Sequence, residues 1–328
     1  MYNSFVKSFV FLMFLINCNG FPLVEQVPTE QELINQIPID QIPVDKVPVQ
    51  QTAKPFLRPL PSKLYGITLD SIGGLTATLD AIGSLGKKPI TRVVFDEWQP
   101  ATLYLNAVRK IYEKSFVMGE LLDSYYVSQY SLAQYKARTT EYLNVMGDKI
   151  DIWEIGNEIN GEWLGYTPRV VAKMAAAYDI VKAKSQRTAL TLYYNPDCWA
   201  KPSNEMFLWA ATNIPSRMKT GLDYVLVSYY EEDCNNYQPN WPLVMSKLAT
   251  MFPNSKVGVG ECGTRNEQKK AELIKRYYSL NLSLPSFIGG YFWWYFKGDM
   301  VPKTKPLWSV LNNVISAQEE QKNGNYSP

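Results

Sequence analysis

Short apolar runs alternate along this chain with longer stretches in which apolar residues recur at helical spacing. The runs are nearly continuous, which is typical of strands buried on both faces of a parallel sheet. They predict strands at Leu64–Leu69, Thr91–Phe95, Phe116–Gly119, Asp151–Gly156, Ala189–Tyr194, Tyr224–Ser228, Lys256–Gly260 and Ile288–Trp294. The stretches between and after them predict helices that include Pro100–Lys114, Ser131–Met146, Pro168–Lys184, Pro242–Met251, Asn266–Leu280 and Pro306–Gln318.

This alternation predicts the fold class. Eight strand–helix units within about 255 residues match a (β/α)₈ TIM barrel in number and size. A doubly wound sheet is the alternative, but it usually has fewer strands and a glycine-rich phosphate turn. The turn after the first strand, Asp70–Gly74, fits neither phosphate-binding fingerprint. We therefore expect an α/β chain with the barrel at residues 62–317.

The N-terminus has the pattern of an export signal. Lys7 precedes an unbroken apolar run, Phe9–Ile16, and the small residues Cys18 and Gly20 follow it. This predicts a signal peptide at residues 1–20. A membrane anchor is the alternative, but the run is too short to span a bilayer. We expect a secreted, extracellular protein that has no membrane association after cleavage.

Residues 21–61 contain eight of the 21 prolines of the chain, and three of these, Pro38, Pro43 and Pro48, recur every five residues. Proline fixes φ and lacks a donor, so neither helix nor sheet suits this stretch. It predicts an extended Pro-rich linker, although the apolar residues beside the prolines could instead dock on a partner or on the barrel. Residues 318–328 are predicted to be a polar tail.

Charge and composition exclude several classes of function. The 33 basic and 31 acidic residues nearly balance, which gives no electrostatic footprint for nucleic acid. The chain has no histidine, which excludes Ser-His-Asp and Cys-His nucleophiles and histidine-based zinc hydrolysis. Carboxyl chemistry is left, and we expect no metal or organic cofactor.

Three cysteines would follow the signal peptide, and no Cys-x-x-Cys pair is present. Export to an oxidising compartment allows one disulfide. Cys198 and Cys234 both follow predicted strands, so they could form it and leave Cys262 free. Three unpaired buried cysteines are the alternative.

The carboxyl ends of barrel strands meet at one rim, where active sites form. The fourth strand ends at Asn157-Glu158 and the seventh at Glu261. Two carboxyl groups can cleave a glycosidic bond if one is protonated and the other ionised. A polar helix cap is the alternative for Asn157-Glu158. Four tryptophans also follow strand ends and offer flat surfaces that suit sugar rings: Trp98, Trp163, Trp199 and Trp241.

Four strand-end motifs carry a resemblance to a known group. WEIGNE, VSYY, VGVGE and GGYFWWYFKG together resemble glycoside hydrolase clan A, which comprises retaining (β/α)₈ glycosidases. IGNEINGEW and LVSYYEED are distantly similar to the endo-β-1,4-galactanase family, and the layout also resembles cellulase-like members. The resemblance spans roughly residues 62–317 in layout, but the matching residues are confined to strand ends.

The resemblance implies the roles of the acids at the rim. Glu158 would be the general acid/base and Glu261 the nucleophile. Asn157 would hold the 2-hydroxyl of the sugar at the cleaved bond. Tyr230 would hydrogen-bond to Glu261, with Tyr229 as the alternative for that role.

The resemblance also assigns surrounding residues. Trp294 would form the platform under the reacting sugar, and Trp163 would contribute to substrate binding. Arg92 would lie beneath Glu261 and stabilise its ionised form, or else form a salt bridge at the bottom of the barrel. Ser228 stands where cellulase-like members have a histidine, a departure that leaves the sugar contacts open.

These observations predict a secreted retaining glycoside hydrolase that cleaves β-linked polysaccharide or oligosaccharide. The long acidic loop Glu231–Asn240 could wall a cleft, which favours endo attack. A transglycosylase is a variant of this hypothesis, and a non-catalytic carbohydrate-binding or wall-associated protein is the alternative. We expect a monomer with a carbohydrate partner, and the sequence indicates neither the sugar nor the linkage.

Overall fold

The structure is a computed structural model that describes residues 57–196, 198 and 200–318. The predicted signal peptide, the linker up to residue 56 and the tail beyond residue 318 lie outside these residues. No helix of the described part is both long enough and apolar enough to cross a membrane.

Eight parallel strands pair in sequence order and close into a barrel. They are β1 (Leu64–Leu69), β2 (Ile90–Val94), β3 (Phe116–Glu120), β4 (Ile152–Glu154), β5 (Thr188–Tyr193), β6 (Tyr224–Tyr229), β7 (Lys256–Cys262) and β8 (Phe287–Trp293). Each of them overlaps a predicted strand. The predicted (β/α)₈ fold class is thereby confirmed, and the doubly wound sheet is excluded.

Helices follow the strands around the outside of the barrel. They are α1 (Leu75–Gly83), α2 (Thr102–Lys114), α3 (Leu132–Met146), α4 (Thr167–Ala183), α5 (Met206–Asn213), α6 (Ser216–Gly221), α7 (Trp241–Met251), α8 (Glu267–Tyr278), α9 (Phe296–Met300) and α10 (Pro306–Ser316). Polar caps set several starts: Ser131 forms a capping box with Gln134 at α3, and Asn266 caps α8. These caps place both helices within two residues of the predicted positions.

The interior of the barrel has an apolar lower layer and a polar upper layer. The lower layer is a buried cluster that includes Ile90, Met118 and Ile152. Side chains alternate along a strand, so the next inward positions lie two residues further on. On β2, β3 and β4 these are Arg92, Glu120 and Glu154, all of them buried. The strand pattern therefore delivers charged groups to the upper half of the barrel.

A β-bulge interrupts this alternation on β7. Val227 pairs with Val259, but Ser228 pairs with Glu261, so Gly260 is an extra residue on its strand. A Cβ at Gly260 would lie 2.6 Å from the Cβ of Leu226, so only glycine fits there. By simple alternation Glu261 would face outward with Val257 and Val259. The bulge turns it inward, as bulges next to active sites commonly do.

Candidate active site

A cavity of about 330 Å³ opens at the carboxyl ends of the strands. Its wall includes the acids Asp123, Glu158 and Glu261 and the aromatic residues Trp163, Tyr230 and Trp294. Its volume lies within the range of small-molecule sites. The fold therefore brings both predicted catalytic glutamates into one cavity.

Glu261 is surrounded by hydrogen-bond donors. Its Oε2 accepts from Nη1 of Arg92 at 2.6 Å, and its Oε1 accepts from the hydroxyl of Tyr230 at 2.6 Å. The carboxyl is 5% exposed. Both carboxyl oxygens of Glu261 therefore have a donor, and the carboxyl is held in one orientation. Of the two positions predicted for Arg92, the structure shows the one beneath Glu261.

Glu158 lies four residues beyond the end of β4 in a different environment. Two serine hydroxyls donate to it, Ser228 at 2.7 Å and Ser124 at 3.0 Å, and no cation pairs with it among the described residues. Burial, followed by the negative charge of Glu261, raises the pKa of Glu158 to about 8. The group is therefore an acid near neutral pH. Its backbone φ is 47°, a strained value of the kind that clusters at functional sites.

Asn157 lies between the two acids and is 2% exposed. Its Nδ2 donates to Glu120 at 2.9 Å and lies 3.5 Å from Glu261. Its Oδ1 is buried and has no hydrogen-bond partner within the described residues. An unpaired buried acceptor is costly, so this atom is suited to accept a hydroxyl from a ligand.

Arg92 joins three carboxyl groups beneath the cavity. Its guanidinium lies 2.6 Å from Glu154, 2.6 Å from Glu261 and 3.0 Å from Glu120. Burial alone would lower the pKa of Arg92, but the three acids raise it well above its usual value. Glu154 also accepts a hydrogen bond from the Thr191 hydroxyl. With Arg92 as its basic partner, Glu154 is a buried structural carboxyl, as its inward position on β4 predicts.

Glu120 differs from the other partners of Arg92. Burial raises its pKa well above the usual range, and the negative neighbours Glu154, Asp123 and Glu261 offset the attraction of Arg92. Three carboxylates around one cation would leave an excess of buried negative charge. Glu120 also orients Asn157 by accepting its amide hydrogen.

Other predicted residues divide into two groups. Trp163 and Trp294 line the cavity, and the Trp163 indole N–H donates to Ser124 at 3.0 Å. Tyr229 points away from it, because alternation on β6 turns Tyr229 outward when Ser228 faces in. The Tyr229 hydroxyl donates to the carbonyl of Tyr237, so of the two tyrosines it is Tyr230 that bonds to Glu261.

Trp241 also lies away from the cavity, where it packs edge-on against the ring of Tyr229. Trp98 lies outside the cavity wall at the end of β2, and Trp199 is outside the described residues.

Several cavity residues were not predicted from the sequence. Asp123 and Ser124 lie three and four residues beyond the end of β3, and the hydroxyl of Ser124 donates to Glu158. Arg265 also lines the cavity, beside Glu232 and Asp233 from the acidic loop that the sequence predicted to wall a cleft. Asp123 could have been predicted, because it is a carboxyl residue shortly after a barrel strand. No sequence signal indicated that a serine after β3 would meet the acid of β4.

Cys198 and Cys234 form a disulfide with Cα atoms 5.1 Å apart, and Cys262 is free and buried. The disulfide ties the loop after β5 to the loop after β6 at the rim of the cavity. In the described part of the chain, no group of three or more Cys, Asp or Glu side chains is arranged to hold a metal ion.

The raised pKa of Glu158 predicts how a reaction at this site would depend on pH. Glu158 must be protonated to act as an acid, so kcat/KM should fall as pH rises through about 8. The Ser228 hydroxyl stabilises the ionised form, so Ser228→Ala should raise the pKa of Glu158 and move this limb upward by about one unit. pH–rate profiles measure the shift, with the surface variant Ser279→Ala as control. An unmoved or lowered limb in Ser228→Ala would contradict this assignment.

No family model and no curated protein matches the sequence. The fold is similar to that of a GH30 endoxylanase from Clostridium papyrosolvens C71, with a TM-score of 0.54, 11% identity and coverage of 79% of this chain and 72% of that one. It is also similar to Saccharomyces cerevisiae Gas2p in complex with laminaritriose and laminaritetraose, with a TM-score of 0.52, 12% identity and 79% and 65% coverage.

A third similar structure is an FMN-binding beta-glucuronidase from Facaelibacterium prausnitzii L2-6, with a TM-score of 0.50, 13% identity and 72% and 37% coverage. The chain thus spans 65% of Gas2p and 37% of the glucuronidase. At these identities the similarity shows a shared fold. The predicted resemblance to clan A glycoside hydrolases is confirmed at the level of the fold.

Proposed function

We propose that this protein is a secreted retaining glycoside hydrolase that acts on a β-linked glycan. One observation carries the proposal: Glu158 and Glu261 line the same cavity in opposite environments. Glu158 is desolvated, with a pKa of about 8, whereas Glu261 has a cation and a phenol on its oxygens. Paired carboxyls in different environments are the recurring device for an acid and a nucleophile in glycoside hydrolysis.

The reaction would proceed in two steps. Glu261 attacks the anomeric carbon while Glu158 donates its proton to the leaving oxygen, which gives a covalent glycosyl-enzyme. Glu158, now ionised, then takes a proton from a water molecule that attacks the anomeric carbon from the face the leaving group left, and the bond to Glu261 breaks. Each step inverts the anomeric carbon, so the product retains the starting configuration. Both carboxyls line one cavity, so Glu261 can attack a sugar bound there while Glu158 protonates the departing oxygen.

Substrate contacts follow from the remaining groups. The unpaired Oδ1 of Asn157 would accept the 2-hydroxyl of the reacting sugar. Trp294 lies with its ring 5.6 Å from the Arg92 guanidinium, where it would form the floor under that sugar. Hydrogen bonds to the 2-hydroxyl that strengthen in the transition state supply part of the rate in such enzymes.

Secretion and the mode of attack belong to the same proposal. The export-signal pattern and the disulfide Cys198–Cys234 both support an oxidising compartment. The loop after β6 supplies Glu232 and Asp233 to the cavity wall, which supports endo attack in an open cleft. The shared fold with an endoxylanase and with a protein that binds laminaritriose supports a carbohydrate substrate. We propose a monomer that needs no metal.

A substrate screen with stereochemical analysis tests the proposal. Purified protein is incubated with defined β-glucans, mannans, galactans and xylans, and reducing ends are measured. The anomer first formed is then followed by proton NMR, and we expect the β-anomer before mutarotation. An α-anomer would reject the retaining mechanism. Glycan binding without hydrolysis of any bound polysaccharide would favour the carbohydrate-binding alternative, and larger sugars made from added acceptors would indicate transglycosylation.

A further inference from the structure

The rim beyond the cavity exposes aromatic side chains at the ends of β2 and β3. Trp98 is 52% exposed and Tyr125 is 68% exposed, and Tyr126 is half-buried beside them. The rings of Tyr125 and Tyr126 meet edge to face at 5.3 Å. We call Trp98, Tyr125 and Tyr126 the aromatic shelf. So much apolar surface left in water at one place marks a site of interaction.

Trp98 is held in an unfavourable conformation. Its φ of 59° lies in the left-handed region, which is a genuine outlier for a bulky residue. Its backbone N–H donates to the hydroxyl of Tyr130 at 2.6 Å, and its indole stacks on the Tyr130 ring at 4.0 Å with an interplanar angle of 8°. One face of the indole is covered by that ring. The exposed half of the side chain leaves the other face open to a ligand.

A buried arginine fixes the shelf in place. The Arg138 guanidinium donates to the carbonyls of Phe95 and Asp96 at 2.8 Å each, and to that of Leu121 at 2.6 Å. These carbonyls belong to the loops after β2 and β3. Arg138 therefore locks together the two loops that carry Trp98 and Tyr125. A surface that is already rigid loses little entropy when it binds a ligand.

The shelf is continuous with the cavity. Tyr125 follows Ser124, whose hydroxyl donates to Glu158. The phenol of Tyr126 lies near both Glu97, beside Trp98, and Asp123, in the cavity wall. Burial together with these two charges raises its pKa. The two tyrosines therefore lie between the general acid and the loop that carries Trp98.

We propose that the aromatic shelf binds further sugar rings of the glycan chain whose bond lies between Glu158 and Glu261. This rests on the proposed function of the cavity, and it makes the substrate an extended chain. Flat aromatic rings stack on the C–H faces of sugars without reading their sequence. Acids flank the shelf at Glu97 and Asp123, so they would accept sugar hydroxyls and repel an acidic chain. The geometry thus points to a neutral polysaccharide.

Affinity electrophoresis tests the shelf independently of turnover. All variants are made in a Glu261→Gln background, which removes hydrolysis, and are run through native gels that contain barley β-glucan, laminarin, galactomannan or arabinoxylan. We expect at least one polysaccharide to retard the parent, and Trp98→Ala to weaken that retardation about tenfold, which corresponds to the upper range for an aromatic contact. Trp98→Tyr should restore most of it.

Leu243→Ala is the matched control, because Leu243 is 59% exposed on α7, which follows β6, whereas the aromatic shelf follows β2 and β3. Equal retardation of Trp98→Ala and its parent, or no retardation of the parent by any of the four gels, would overturn the shelf. In the active background, the ratio of kcat/KM for long over short oligosaccharides of the retarding glycan should fall about tenfold in Trp98→Ala. If wild type hydrolyses nothing while the gels show Trp98-dependent binding, the proposed function fails and the shelf stands.

Discussion

Glu261→Ala should reduce the turnover of the substrate glycan by at least about 10⁴-fold, as the loss of a nucleophile does in other hydrolases. Alanine removes the oxygen that would bond to the anomeric carbon. Among the described residues, no other carboxyl partner of Arg92 lines the cavity and could replace Glu261. The fold should survive, since Arg92 keeps Glu120 and Glu154 as partners. Initial rates and circular dichroism measure the two effects.

Azide provides the decisive control for Glu261→Ala. The small anion fits the space that the carboxylate leaves and should restore part of the turnover, with an α-glycosyl azide as product. Glu272→Ala, on the exposed face of α8, should behave as wild type. Full turnover in Glu261→Ala without azide would remove Glu261 from the mechanism.

Arg92→Met should lower the free energy of unfolding at pH 7 by about 3–5 kcal/mol, because one partner of a buried ionic network is lost and the others stay. The guanidinium is fully buried and faces three carboxyl groups. The deficit should shrink in mild acid, where protonation removes the uncompensated charge. Urea denaturation at pH 5 and pH 7 measures both values.

Arg217→Met is the matched control for this variant. Arg217 also forms a two-pronged pair, with Asp179, but both side chains are 53% exposed. Exposed pairs contribute about 0–1 kcal/mol, so the loss should be small and nearly independent of pH. If Arg92→Met costs no more than Arg217→Met, then the buried cluster does not depend on its cation.

The sequence predicted the barrel because each strand is a separate apolar run, and because the helices between them carry recognisable caps such as Ser131 and Asn266. It also predicted that Asn157, Glu158 and Glu261 lie near strand ends, since the end of a strand is a local property; the structure places Glu261 one residue before the end of β7. Parallel strands with right-handed crossovers then bring those ends to one rim.

Orientation was harder to predict than position. Alternation along Val257–Gly260 would turn Glu261 away from the barrel, and the bulge at Gly260 reverses this. The choice between Tyr229 and Tyr230 depends on the same alternation on β6, which the sequence left open. Predicting the direction of these side chains therefore requires the register between neighbouring strands. Register is a property of a strand pair, and the sequence of one strand does not contain it.

Contacts between loops were beyond the sequence altogether. Ser124 follows β3 and Ser228 lies on β6, and they meet on Glu158 only when the barrel is closed. The support of Trp98 likewise depends on Arg138, which reaches the carbonyls of two loops from α3. Such contacts join residues that are far apart in the chain, and no local pattern marks them.

The buried acids also couple the folding of the barrel to protons. An unfolded glutamate titrates near pH 4.3, whereas the pKa of Glu158 is about 8, and burial raises those of Glu120 and Glu154. Between about pH 4.3 and 8 the folded chain holds a proton on Glu158 that the unfolded chain releases. The stability linked to Glu158 is complete below about pH 4.3 and is lost as pH rises through 8. Folding at neutral pH therefore takes up a proton from the medium, and the burial that makes Glu158 an acid weakens the barrel in alkaline surroundings.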